Sequence, residues 1–127
     1  MDFALEGKGL FVIELPGGWP AYTFDGRMEL DKDGRLVTFE ENFPVLGEKG
    51  HIYLPSTAVD VNRQGVIYYR GEVIDTFRRE YPRRIHDLKA FNHKIFYFSK
   101  EDWGKPDKFV EDSSEVLQGY VQDATVT

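Results

Sequence analysis

The stretch Ala21-Tyr22-Thr23-Phe24-Asp25-Gly26-Arg27-Met28-Glu29-Leu30-Asp31-Lys32-Asp33-Gly34-Arg35-Leu36-Val37 decides the fold class. It holds two Asp-Gly pairs, Asp25-Gly26 and Asp33-Gly34, each flanked by alternating apolar residues. That pattern is the strongest short-range hairpin signal, because both central positions of a type I′ turn need φ > 0. With one short strand between the turns, Tyr22 to Val37 is predicted to form a three-stranded meander with Gly26 and Gly34 at positive φ. Phe43-Pro44-Val45-Leu46-Gly47 follows, and a further structural turn is expected at Gly47.

Strand signals continue in both directions. Leu10-Phe11-Val12-Ile13-Glu14-Leu15 is a compact apolar run closed by Pro16-Gly17-Gly18. Ile52-Tyr53-Leu54 stops at Pro55, which cannot donate to a central ladder. Val59-Asp60-Val61 and Val66-Ile67-Tyr68-Tyr69 flank a glycine-containing loop and read as a hairpin, and Arg70-Gly71 turns the chain into Glu72–Phe77. Lys94–Phe98 and Val116–Val121 are the last strand signals. Ser99 to Trp103 offers one helix start, with Ser99 as N-cap, and Gly104 ends it after about one turn. The reading is an all-β, hairpin- and meander-based fold with at most one short helix, forming a single domain over residues 1–127.

Composition agrees. At 127 residues, with 41% hydrophobic and 30% charged residues, the chain is large enough to bury a core and too apolar for disorder. Ten Phe and seven Tyr suit pleated, half-buried surfaces. A net charge of −6 disfavours nucleic acid and anionic membranes, whose phosphates reward clustered cations. The absence of cysteine excludes disulfides, a thiolate nucleophile and Cys-ligated metal. No apolar run approaches the ~20 residues a spanning helix needs, so no membrane insertion is expected. The start of the chain lacks the basic and apolar regions of a secretory signal.

Candidate chemical sites fail on their own spacing. Asp31-Lys32-Asp33-Gly34 opens like a calcium loop, but Arg35 and Asn42 stand where oxygen ligands are needed. Gly7-Lys8-Gly9 begins like a dinucleotide fingerprint, but Val12 replaces the third glycine and no helix follows. His51, His86 and His93 lack metal-ligand spacing, and no nucleophile elbow is present. No catalytic residue, cofactor site or metal site is expected, and an enzyme is the class least supported. Arg78-Arg79-Glu80-Tyr81-Pro82-Arg83-Arg84 is the one unusual charge feature. Arg78, Arg79, Tyr81, Arg83 and Arg84 read equally as a docking site for an acidic protein neighbour and as a solvated loop or charged edge strand, with nucleic acid below both. Glu40-Glu41 and Glu111-Asp112 would complement that patch on an identical copy.

Seven segments in order carry a family resemblance: Phe3–Val12, the Asp25-Gly26 and Asp33-Gly34 meander, Phe43–Gly47, Gly50–Pro55, Val61–Ile67, His93–Phe96 and Gln118–Val126. Together they resemble bacterial flagellar rod and hook axial proteins of the FlgG and FlgF type. The chain departs from that pattern at Phe24, where the family usually has Arg, at Phe39–Asn42, and in the arginine run. The long amphipathic helices that flank this domain in the family have no counterpart here, so the chain reads as a fragment: the outer β domain.

The resemblance implies a structural subunit of the basal-body rod that transmits torque. Its partners would be other copies of itself and neighbouring rod or hook proteins, and it would be exported by the flagellar secretion system. The isolated domain would be monomeric or weakly associating, each contact being small beside a standard interface of ~1,600 Å². If both ends join one inner tube, Leu5–Phe11 and Leu117–Val121 must lie together and leave on one side, with the arginine loop lateral to them. The reading from another class is a small β-sandwich that binds carbohydrate or peptide on a concave face bearing Trp19, Tyr22 and Trp103.

Overall fold

The computed structural model describes residues 1–7, 9–102, 109–110 and 114–119. The chain opens with β1 (Phe3–Glu6), β2 (Leu10–Leu15) and β3 (Trp19–Thr23), then the short β4 (Met28–Leu30), β5 (Leu36–Thr38), β6 (Leu46–Gly47) and β7 (Gly50–His51). Next come β8 (Asp60–Val61), β9 (Val66–Tyr69), β10 (Glu72–Thr76) and β11 (Arg79–Pro82). A 3₁₀ turn at Ile85–Asp87 leads to β12 (Leu88–Ala90), β13 (Ile95–Phe98), β14 (Phe109–Val110) and β15 (Glu115–Gln118). The fold is nearly all β. At Ser99 the chain makes a turn, in which the Asp102 amide donates to the Ser99 carbonyl at 3.0 Å; Trp103 lies outside the described residues.

Six strands form the main sheet in the order β12-β13-β3-β2-β11-β14. Phe109 on β14 meets Phe98 on β13 at 5.3 Å and Tyr22 on β3 at 5.7 Å. Three strands separate β14 from β13 in the hydrogen-bonded order, so the sheet must curl to bring those rings together. The curl gives β2 two buried faces. Phe11, Ile13 and Leu15 enter the larger core, while Leu10 and Val12 enter a smaller one with Tyr22, Leu46 and Phe98. A strand buried on both sides cannot alternate apolar with polar, and this accounts for the uninterrupted Leu10–Ile13 run. In the larger core Phe77 packs edge-on against Phe3 at 5.1 Å and Phe11 at 5.4 Å. Pairs of this geometry contribute about 0.5–1.5 kcal/mol each beyond area burial.

The three-stranded meander does not form. β3 pairs with β2 and β13, whereas β4 pairs only with β5 among named strands. Gly26 does not take a positive φ. Its carbonyl accepts the Phe3 amide at 2.9 Å, and a Cβ placed on it would lie 1.6 Å from the Phe3 carbonyl oxygen. Glycine is needed there for close approach of β1, not for a turn. Gly34 does sit at φ +81°, closing the β4–β5 hairpin with its amide on the Asp31 carbonyl at 3.0 Å. Asp33 is not at positive φ, so the turn is not type I′. The Asp31 carboxylate shapes it by accepting the Asp33 and Arg35 amides, each at 2.9 Å. Gly47 ends β6 opposite Gly50, flanking the two-residue loop Glu48-Lys49. A Cβ on Gly47 would come within 2.4 Å of the buried Asp75 carboxylate.

The Phe43–Gly47 motif is a seam. Thr38 donates to Phe43 at 2.8 Å, Val45 to Leu36 at 3.0 Å, Glu14 to Pro44 at 2.9 Å and Arg78 to Leu46 at 3.1 Å. One five-residue segment thus joins the β4–β5 hairpin to β2 and to the start of β11. The β8–β9 and β9–β10 hairpins form where the sequence places them.

Candidate functional site: the paired ends and a loop platform

β1 and β15 pair antiparallel, with Phe3 opposite Gln118 and Leu5 opposite Val116. The Gly119 amide donates to the Asp2 carbonyl at 2.7 Å. Both ends of the described chain therefore emerge at one end of one strand pair, as expected from the sequence. The adjacency falls on Phe3–Glu6 and does not extend through Phe11, which belongs to β2; Val121 lies outside the described residues. Polar clamps fasten this pair to the body. The Gln118 side-chain amide accepts the Val61 N–H at 2.9 Å and donates to the Val59 carbonyl at 2.6 Å, acting as a strand residue would. The Ser114 hydroxyl accepts the Gly9 amide at 2.8 Å, and Arg63 meets Glu115 at 2.9 Å.

The arginine run is not a loop standing apart from the ends. Its centre is β11, between β2 and β14. Arg78 lies 3.5 Å from Glu80. Arg79 turns inward and donates to the Ser114 carbonyl and, at 2.9 Å, to the Gln64 carbonyl. Tyr81 is half-buried opposite Val110, and Arg83 and Arg84 are exposed after the strand ends. The five residues therefore split into an inward brace at Arg79, a strand segment, and an exposed corner at Arg83-Arg84.

A second cluster was not signalled by any motif. Lys94, only 4% exposed, begins the approach to β13 and reaches Asp25 at 3.1 Å, Glu40 at 3.2 Å and Glu41 at 3.5 Å. Asp25 also holds the Arg27 guanidinium through both carboxylate oxygens, at 3.0 and 2.9 Å. Three loops, β3–β4, β5–β6 and β12–β13, are tied at one ammonium group. Burial would raise the Asp25 carboxyl, but hydrogen bonds from the Arg27 side chain and amide and from Lys94 outweigh it and hold the carboxyl down at about 2. For Lys94, burial opposes the charge, and the bonds to Asp25 and Glu40 with the charge of Glu41 more than offset it, raising its pKa. Asp25 was expected as a turn former; its larger part is as an ion-pair hub.

The remaining candidates do not converge. Among the described residues no three His, Cys, Asp or Glu side chains are grouped to hold a metal. His51 pairs with Glu14 at 3.0 Å, while His86 and His93 are exposed elsewhere. Asp31 is occupied by its own turn, and the Arg35 amide is the main cause of its lowered pKa. Nor do Trp19 and Tyr22, the described aromatics expected on a concave binding face, stand exposed together. Tyr22 is buried, its hydroxyl pushed up to about 12 by burial and then by Glu80 against the opposing pull of Arg78. The Trp19 indole is half-buried and donates to the Phe98 carbonyl at 3.4 Å; Trp103 lies outside the described residues. No described helix is long and apolar enough to cross a membrane.

Comparison with known proteins gives one consistent answer. A family model described as the flagellar hook protein FlgE/F/G D1 domain matches residues 4–69. The flagellar basal-body rod protein FlgG of Buchnera aphidicola subsp. Acyrthosiphon pisum (strain APS) is 44% identical over 68 residues, covering 52% of this chain and 25% of that protein. The rod protein FlgF of Rhizobium meliloti (strain 1021) is 42% identical over 74 residues, covering 56% and 30%. FlgF of Buchnera aphidicola subsp. Schizaphis graminum (strain Sg) aligns over 98% of this chain and 53% of its own length at 21% identity. The chain thus spans between a quarter and about half of the length of these relatives.

Proposed function

The chain belongs to the family of the flagellar hook protein FlgE/F/G D1 domain, and from that membership we propose that it is a structural subunit of the bacterial flagellar basal-body rod. The observation that supports this reading is the β1–β15 pair, which sets Asp2 and Phe3 beside Gln118 and Gly119 at one end of one strand pair. A domain mounted in that way can stand on an axial structure as a stiff block. Load entering at the ends passes into the body through the Gln118, Ser114 and Arg63 clamps and through Phe3, Leu5 and Val116, all buried in the larger core. The role is structural and not catalytic, its site is the basal body, and its export follows the flagellar secretion route. The partners are other copies and neighbouring rod or hook proteins. The β-sandwich binding reading has no support, because Tyr22 is buried.

The test is cellular. A tagged version of the full coding sequence should co-purify with hook–basal bodies, and its deletion should abolish swimming. A tagged protein absent from that fraction, in a deletion strain that still swims, would refute the rod assignment.

A further inference from the structure

Asp25-Gly26-Arg27 and Asp33-Gly34-Arg35 are the same tripeptide, and the fold treats their aspartates in opposite ways. Asp33 is exposed on the β4–β5 turn, and no described residue pairs with its carboxylate. The next residue, Gly34, has no Cβ to shield its amide nitrogen. That amide donates to the Asp31 carbonyl at 3.0 Å, a bond at the tip of an exposed turn, where local opening is easiest. Asp25 is enclosed. Its side chain is 12% exposed, and its oxygens take the Arg27 side chain at 3.0 and 2.9 Å, the Arg27 amide at 3.1 Å and Lys94 at 3.1 Å. With its carboxyl held down at about 2, Asp25 stays a carboxylate, from which no hydroxyl can leave. Gly26 is itself buried, its backbone against Phe3.

We propose that Asp33 is a site of spontaneous conversion to isoaspartate, and that the ion pairs of Asp25 protect the matching tripeptide from the same reaction. The Gly34 amide nitrogen attacks the carboxyl carbon of Asp33. The nitrogen gives up its proton, the carboxyl hydroxyl leaves, and the two depart as water. A five-membered succinimide ring joins the residues. Water then opens the ring at either carbonyl: one opening restores aspartate, and the other moves the main chain onto the former side-chain carbon. One water is lost and one regained, so mass and oxidation state do not change. Ring closure needs a main chain free to rotate and a carboxyl free to lose an oxygen. The exposed turn at Asp33 meets both needs, whereas at Asp25 two partners and a neighbouring strand would have to move first. Conversion adds one carbon to the main chain of the turn, beside the Gly34 carbonyl that accepts the Leu54 amide at 2.9 Å. Age would therefore loosen the tie between this hairpin and Leu54. The chemistry needs no partner and stands apart from the rod reading.

The experiment is prolonged incubation of the whole folded chain in warm, mildly acid buffer, followed by cleavage after glutamate. Cleavage at Glu14, Glu29 and Glu40 puts the two Asp-Gly pairs in separate peptides, residues 15–29 and 30–40. Fragmentation diagnostic of isoaspartate then reads each site. Isoaspartate should accumulate in the 30–40 peptide about tenfold or more faster than in the 15–29 peptide. In guanidinium chloride, where the fold no longer separates them, the two sites should convert at comparable rates. Asp33→Ser, a change at an exposed side chain, should remove the signal from the 30–40 peptide. Equal accumulation at both sites in the folded chain would overturn the inference. So would a folded chain that forms none at Asp33, or a difference between the sites that persists undiminished in denaturant.

Discussion

Asp25-Gly26 and Asp33-Gly34 are one dipeptide used twice, and the surroundings give each a different task. At Gly34 the requirement is local: the residue sits at φ +81° and closes a hairpin shaped by Asp31. At Gly26 the requirement is tertiary: the backbone is ordinary in φ but lies against Phe3, so that any Cβ would overlap the Phe3 carbonyl. The two aspartates diverge likewise. Asp33 is exposed on its turn, whereas Asp25 binds Arg27 and Lys94 and anchors three loops. A turn signal reports a backbone that must bend sharply or admit a neighbour, and the dipeptide alone does not say which.

Substitution separates the two cases, and the largest effect belongs to the tertiary glycine. Gly26→Ala should cost about 3 kcal/mol or more, because β1 must move away from Phe11 and Phe77 to make room. Urea denaturation should show that loss exceeding the loss for Gly34→Ala; equal losses would erase the distinction. Next comes the hub. Lys94→Met should cost about 2–3 kcal/mol, since it leaves the largely buried Asp25 and Glu41 carboxylates facing apolar atoms. A thermal melt unchanged by Lys94→Met would show that the loops hold without it.

Acid should act on the Asp25 side of the comparison. The folded Asp25 carboxyl is depressed to about 2, below its unfolded value of about 3.9. Its stabilising contribution is therefore complete above about pH 5 and lost as pH falls through 4 toward 2. After discounting for solvent screening, the loss should be roughly 1–2 kcal/mol. Asp25→Asn should flatten the stability profile in that window, and an unchanged slope would argue against the hub. The smallest effect is local. Gly34→Ala should cost about 1 kcal/mol, the strain of placing a Cβ at positive φ, and a neutral result by the same urea measurement would remove the conformational requirement there.

The type I′ geometry predicted for the Asp-Gly pairs occurs instead at Arg70-Gly71, where φ is +51° and +82° between Tyr69 and Glu72. That hairpin was legible because its flanking strands pair with each other. Asp25-Gly26 misled because β3 is claimed on both edges by β2 and β13, leaving no edge for β4. The arginine run was legible as a charge cluster on a loop or an edge strand, yet not as a strand paired on both sides, since the β11 residues Arg79-Glu80-Tyr81-Pro82 have no alternating apolar pattern. The Lys94 hub was not legible beforehand: Asp25, Glu40 and Lys94 lie in three separated loops, and no spacing rule links them.

Strand content, the β4–β5, β8–β9 and β9–β10 hairpins and the ordered family motifs were written in the sequence, because apolar runs, turn residues and neighbouring strand pairs act over short chain distances. The meeting of β1 with β15, the curl that buries both faces of β2, the close approach at Gly26 and the loops gathered at Lys94 were decided by tertiary structure. Each joins segments far apart in sequence, and such contacts depend on which edges and faces remain open once the local hairpins have formed.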